Sequence, residues 1–106
     1  VDKPSNGMLQ DVHWSVGLFG YFPTYTLGNV YAGCLFKTLR QDLPNVDTQM
    51  ATGDLSGATG WMARNLQTHG GLYEPREVVE RAARAPVSEE PLLDYLDAKF
   101  GAIYGV

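Results

Sequence analysis

Asp11 and His13 stand two residues apart, with Gln10 before them and Trp14 after, and Tyr21 and Tyr25 follow at eight and twelve residues from the histidine. A carboxylate that close to an imidazole can orient it, and an oriented imidazole can donate to an oxygen on which negative charge develops. A tyrosine hydroxyl is protonated at neutral pH and can donate in the same way. Two tyrosines four residues apart share a face if the chain there is helical. The alternatives are a surface acid beside a half-buried histidine, and a pair of packing tyrosines. Trp14, Phe19 and Phe22 read as packing residues.

These residues belong to one stretch, residues 7–27, which holds an acid, a histidine, a glutamine and a dense set of aromatics between glycines. It shows no sustained period of two or of three to four before Phe22. Irregular polar and aromatic density of this kind reads as the wall of a site, and the amphipathic remainder as its support.

The support is expected to be all-α, with about five helices joined by short connections. Gln10 to Ser15 is expected to form a short helical turn. Pro23 suits the first turn of a long helix, in which Leu27, Val30, Tyr31, Cys34, Leu35 and Leu39 follow helical spacing up to Asp42, before Pro44. Gly28 and Gly33 inside it point to close approach of another helix or of a ligand. A second short helix opens at Pro44 and closes at Gly53. A third is capped by Ser56 and carries Trp61, Met62 and Leu66 on one face, with Gly70-Gly71 as its stop. The fourth starts at Glu74-Pro75 and carries Val78, Val79, Ala82 and Ala83. The fifth is capped by Ser88, with Leu92, Leu93, Leu96, Phe100, Ile103 and Tyr104 on one stripe.

The chain has 106 residues, twelve carboxylates and eight Lys and Arg, for a formal charge of −4. That is one domain at most, without the basic stripe of a nucleic-acid footprint. No apolar run approaches the ~20 residues of a membrane span. Cys34 is the lone cysteine; on an apolar stripe it reads as a small buried hydrophobe, and its solitude suits a reducing, cytoplasmic setting. The two histidines and one cysteine have unrelated spacings, with no HExxH or CxxC, so no metal site is expected within the chain. His69 beside Gly70-Gly71 reads as a helix C-terminal histidine. The absence of an initiator Met leads us to expect a segment of a longer protein.

Gly7-Met8-Leu9-Gln10-Asp11-Val12-His13-Trp14 resembles the G-x-x-Q-D-x-H-W motif of the thermostable carboxypeptidase 1 family, also called the carboxypeptidase Taq family. The resemblance continues through residues 20–29, through Tyr73-Glu74-Pro75 and into Leu92-Leu93-Asp94-Tyr95-Leu96 and Tyr104-Gly105, so it spans essentially the whole chain. It implies that residues 1–106 are the C-terminal helical segment of a larger zinc peptidase fold, with residues 7–29 carrying the active-site wall. Family members are largely helical, often dimeric, several times this length, and remove single residues from peptide C-termini. Their zinc, or another divalent metal, is held by an HExxH helix and a downstream Glu upstream of this motif.

By the same resemblance, His13 and Tyr25 are transition-state donors, Asp11 orients His13, and Gln10, Tyr21 and Trp14 line the substrate cleft. In distantly similar helical zinc peptidases a histidine followed eight to twelve residues later by tyrosines faces the metal-bound carbonyl. The resemblance implies a peptide substrate, the missing N-terminal catalytic portion as partner, and no activity of this segment alone. No arginine lies near the motif, so the residue that receives the substrate carboxylate is expected in the missing portion. The rival reading is a non-catalytic helical interaction or oligomerisation module that dimerises to hide apolar surface.

Overall fold

In a computed structural model, residues 2–105 are described. Two 3-10 turns, Pro4–Asn6 and Met8–Gln10, precede five α-helices: α1 (Pro23–Asp42), α2 (Val46–Ala51), α3 (Ser56–Asn65), α4 (Pro75–Ala83) and α5 (Glu90–Tyr104). A third 3-10 turn, Gln67–His69, follows α3. Among the described residues there is no strand, and the all-α expectation holds.

α1 is the spine. Pro23 occupies its first turn, where a missing N–H costs nothing, and the helix ends where Leu43 donates its N–H to the Leu39 carbonyl at 2.8 Å. α4 and α5 both pack on α1, and α2 joins α1 to α3. Gly33 makes the α1–α5 approach: a Cβ built there would lie 2.9 Å from the Leu92 backbone nitrogen. Gly28 meets nothing within 4 Å. Of the two readings of these glycines, another helix is therefore the answer for Gly33.

The core is small. Leu39, Val46, Trp61 and Ala82 are buried together, with Leu35, Phe36, Leu43, Met50, Ala58 and Leu66 packed around them. The Trp61 indole N–H donates to Asp42 Oδ2 at 2.7 Å, and Arg84 donates to the other oxygen of that carboxylate at 2.6 Å. One carboxylate thus ties the ends of α1 and α4 to α3. The Thr38 hydroxyl is buried between the carbonyls of Cys34 and Ala83, at 3.2 and 3.3 Å. Cys34 is buried as expected, and its Sγ–H donates to the Ser88 carbonyl at 3.2 Å.

Several local expectations shift. The early 3-10 turn lies at Met8–Gln10, ahead of the expected place; Asp11 then turns extended, and one further turn is closed by the Val16 N–H donating to the Val12 carbonyl at 3.1 Å. Ser56 is the first residue of α3 and not its cap; Asp54 Oδ1 accepts from both the Ser56 N–H, at 3.0 Å, and its hydroxyl, at 2.6 Å. Gly70-Gly71 ends the Gln67–His69 turn and not α3 itself. Met62 parts company with buried Trp61 and reaches the surface. Ser88 likewise lies one residue ahead of the cap position of α5, which Glu89 holds; its hydroxyl accepts from the Glu90 N–H at 3.2 Å.

The α5 stripe behaves unexpectedly. α5 contains no buried residue, and Leu93, Phe100, Ile103 and Tyr104 are exposed. Exposed too are Met8, Leu9, Val12, Trp14, Val16 and Phe19. The radius of gyration is 17.5 Å, against about 13 Å for a compact chain near this length. The chain is less compact than a globule of its length, with extents of 46 × 41 × 27 Å.

Candidate active-site wall

The site is built at the N-terminal end of α1. The Asp11 carboxylate Oδ1 accepts from the His13 backbone N–H at 2.8 Å and lies 2.7 Å from His13 Nδ1. The two contacts on one oxygen fix both the backbone turn and the ring. They also hold the Asp11 carboxyl below the usual carboxylate range, the backbone hydrogen bond foremost and the ring contact next. The Leu18 N–H donates to the His13 carbonyl at 2.8 Å, closing the loop that returns the chain to α1. Positive φ at Gly17 (76°) and Gly20 (73°) lets the chain make that return.

Tyr25 comes from the first turn of α1. Its hydroxyl lies 3.1 Å from His13 Nε2. Asp11, His13 and Tyr25 thus form one continuous hydrogen-bonded line across the loop and the helix. Tyr21 precedes the helix, so it shares no helical face with Tyr25. Its ring nevertheless meets Tyr25 edge-on at 5.4 Å and lies 5.6 Å from the His13 ring. Phe22 covers the imidazole edge-on at 4.9 Å, a structural contribution that its place among the aromatics did not single out. Trp14 is 59% exposed and touches Phe19 at 5.4 Å. The Gln10 amide donates to the Ser5 carbonyl, tying the lead-in to the motif; nothing in the composition of residues 1–6 marked Ser5 as its acceptor.

The line ends at the surface. Tyr25 is 54% and Tyr21 43% exposed, so both side chains lie at the surface of the loop. The donor set does not fit a metal: among the described residues no three His, Cys, Asp or Glu side chains converge, and both ring nitrogens of His13 are engaged. Arg40, Arg76, Arg81 and Arg84 are paired with Asp47, Glu80, Glu77 and Asp42.

A separate apolar groove of about 830 Å³ opens between α1, α3 and α5, lined among others by Phe36, Trp61, Met62, Leu92, Tyr95 and Leu96. It excludes Asp11, His13 and Tyr25. Of the charges on its rim, Lys37 pairs with Asp94 at 3.5 Å, so it offers no comparable chemistry.

Residues 1–100 match the family described as carboxypeptidase Taq (M32) metallopeptidase. The chain is 41% identical over 100 residues to the thermostable carboxypeptidase 1 of Thermus thermophilus, and 35% identical over 100 residues to carboxypeptidase 1 of Bacillus subtilis. Each alignment covers 94% of this chain and 20% of the relative. An M32 carboxypeptidase from Deinococcus radiodurans R1 superposes with a TM-score of 0.81 at 36% identity, over 100% of this chain and 22% of that one. The structure described as BsuCP superposes with a TM-score of 0.84 at 34% identity, over 98% of this chain and 21% of that one. The chain therefore spans about a fifth of the length of the proteins it matches.

Proposed function

This chain belongs to the carboxypeptidase Taq (M32) metallopeptidase family, and from that premise we propose that residues 7–29 form one wall of the cleft in which a peptide's C-terminal bond is hydrolysed. The observation that carries this reading is the hydrogen-bonded line from Asp11 through His13 to Tyr25, which ends on an exposed hydroxyl. The family works with a divalent metal in the full-length enzyme, which we take to be zinc held by residues outside this segment. That metal supplies the activation of water; the residues here do other work.

As water adds to the scissile carbonyl, negative charge grows on its oxygen. A preorganised donor is most useful there, because it need not reorient as the charge appears. The His13–Tyr25 pair supplies that donor. Asp11 keeps the imidazole in one orientation, and Phe22 fixes the ring plane by packing on its edge. Tyr21, Gln10 and Trp14 line the peptide's path. The segment alone is inactive on this reading, and its lone cysteine suits a cytoplasmic enzyme.

The test is Tyr25→Phe and His13→Ala in the full-length enzyme. Loss of one such donor lowers kcat by about 10²–10³, or ~2.7–4 kcal/mol, with the metal content intact. A kcat within a few-fold of the parent, metal retained, would remove both residues from the chemistry.

A second reading is favoured by the exposed Met8, Leu9, Val12, Trp14 and Phe19. These make the segment an interaction or oligomerisation module that covers apolar surface by self-association. A monomer in sedimentation at high concentration would exclude it.

A further inference from the structure

Asp11 as a carboxylate accepts hydrogen bonds and donates none. At 2.7 Å from Nδ1 it therefore requires the proton on that nitrogen. In the neutral imidazole Nε2 is then a bare lone pair, and the hydrogen that bridges the 3.1 Å to Tyr25 is the phenol's own. In that state Tyr25 presents only lone pairs to whatever lies over the loop. When the ring takes up a proton, Nε2–H becomes the donor to the Tyr25 oxygen, and the phenol hydrogen is free to turn outward.

We propose that Asp11, His13 and Tyr25 form a proton-gated donor, in which the hydroxyl of Tyr25 donates to the substrate only while His13 is an imidazolium. Asp11 is a positioning residue that sets the gate by choosing the tautomer, and Tyr25 is the outlet. The step forms one N–H bond on His13 from a solvent proton and rotates the phenol O–H without breaking it. Among the described residues, the titratable groups facing the His13 ring are Asp11 from its own loop, Tyr21 from the approach to α1 and Tyr25 from its first turn. Phe22 covers it without charge. The inference rests on the preceding reading of Tyr25 as a donor and adds the condition under which it donates.

The decisive measurement is long-range proton–nitrogen NMR of this chain labelled with 15N-histidine, followed through the His13 titration. In the neutral form His13 carries its proton on Nδ1, opposite to the Nε2–H form that free histidine prefers. Asp11→Ala returns His13 to Nε2–H, whereas Tyr25→Phe leaves it on Nδ1. In the full-length enzyme, kcat falls on the alkaline side in step with the same titration, and Tyr25→Phe removes that limb.

A neutral His13 protonated on Nε2 in the unsubstituted chain overturns the gate; if Tyr25→Phe still lowers kcat, the donor reading survives that loss. An alkaline limb unchanged in Tyr25→Phe also overturns the gate. The expected tautomer with kcat indifferent to Tyr25→Phe removes the donor reading and the gate together.

Discussion

Gly33 on α1 and Leu92 on α5 meet backbone to backbone: an added Cβ at Gly33 would stand 2.9 Å from the Leu92 nitrogen and 3.0 Å from its Cα. Five residues earlier, Gly28 faces nothing within 4 Å. The same substitution at the two positions therefore has opposite signs. Gly28→Ala stabilises by up to about 1 kcal/mol through helix propensity. Gly33→Ala gains the same propensity but forces two backbones apart, and overpacking costs about 1–3 kcal/mol. Urea denaturation of the two variants gives midpoints on either side of the parent; a raised midpoint in Gly33→Ala would show that α5 does not sit so close.

Trp61 is the largest side chain of the core, 2% exposed, and its indole N–H ends on Asp42. Trp61→Ala costs about 3–5 kcal/mol, enough to unfold a chain with so little core. Asp42→Ala lowers the denaturation midpoint by leaving that N–H without its acceptor. A midpoint unchanged in Asp42→Ala would mean that the α1–α3–α4 tie is not stabilising.

Acid should unfold the chain through a small set of carboxylates. Asp42 is held below the usual range first by Arg84 and then by Trp61, Glu80 first by Arg76 and then by the Val87 N–H, and Asp54 first by the Ser56 hydroxyl and then by its N–H. Each group is more acidic folded than unfolded. Its contribution is therefore complete above the unfolded value, near about 4, and disappears as pH falls through the lower folded value. Helical circular dichroism stays flat from neutral pH to about 4 and declines below. Added salt weakens the Arg76–Glu80 contribution, since that pair is exposed. A decline beginning near neutrality would place the acid-sensitive groups elsewhere.

The exposed apolar residues of the lead-in and α5 should bind a hydrophobic dye. Fluorescence is high for this chain alone and drops when the complementary portion of a full-length relative is added. Equal dye binding with and without that portion would show that this face is not what the rest of the fold covers.

Much of this architecture is legible in the residues. Pro23 and Pro44 bracket α1, and local chemistry at those positions decides the helix without help from packing. Cys34 follows its stripe into the interior. The failures are tertiary. Leu93, Phe100 and Ile103 have the spacing of a buried face, yet α5 packs mainly on α1 and, among the described residues, buries none of its side chains. Periodicity reports that a face wants burial; it does not report where its partner resides. The start of α3 is misread because Ser56 is a good capping residue by type, yet it falls inside the helix and Leu55 holds the cap position. For the site, the two-residue spacing of Asp11 and His13 suggests the pairing, but the reach of Tyr25 across the loop depends on the turn closed by Gly17 and Gly20.

α1 joins the two halves of this molecule. Tyr25 sits on its first turn and Leu39 on its last, about 21 Å apart along the axis at 1.5 Å per residue. Such a separation makes lesions at one end thermodynamically independent of lesions at the other. Variation around the hydroxyl is thus free to retune catalysis without eroding the fold, and the rod converts a sparse interior into a fixed mount for an exposed reactive edge.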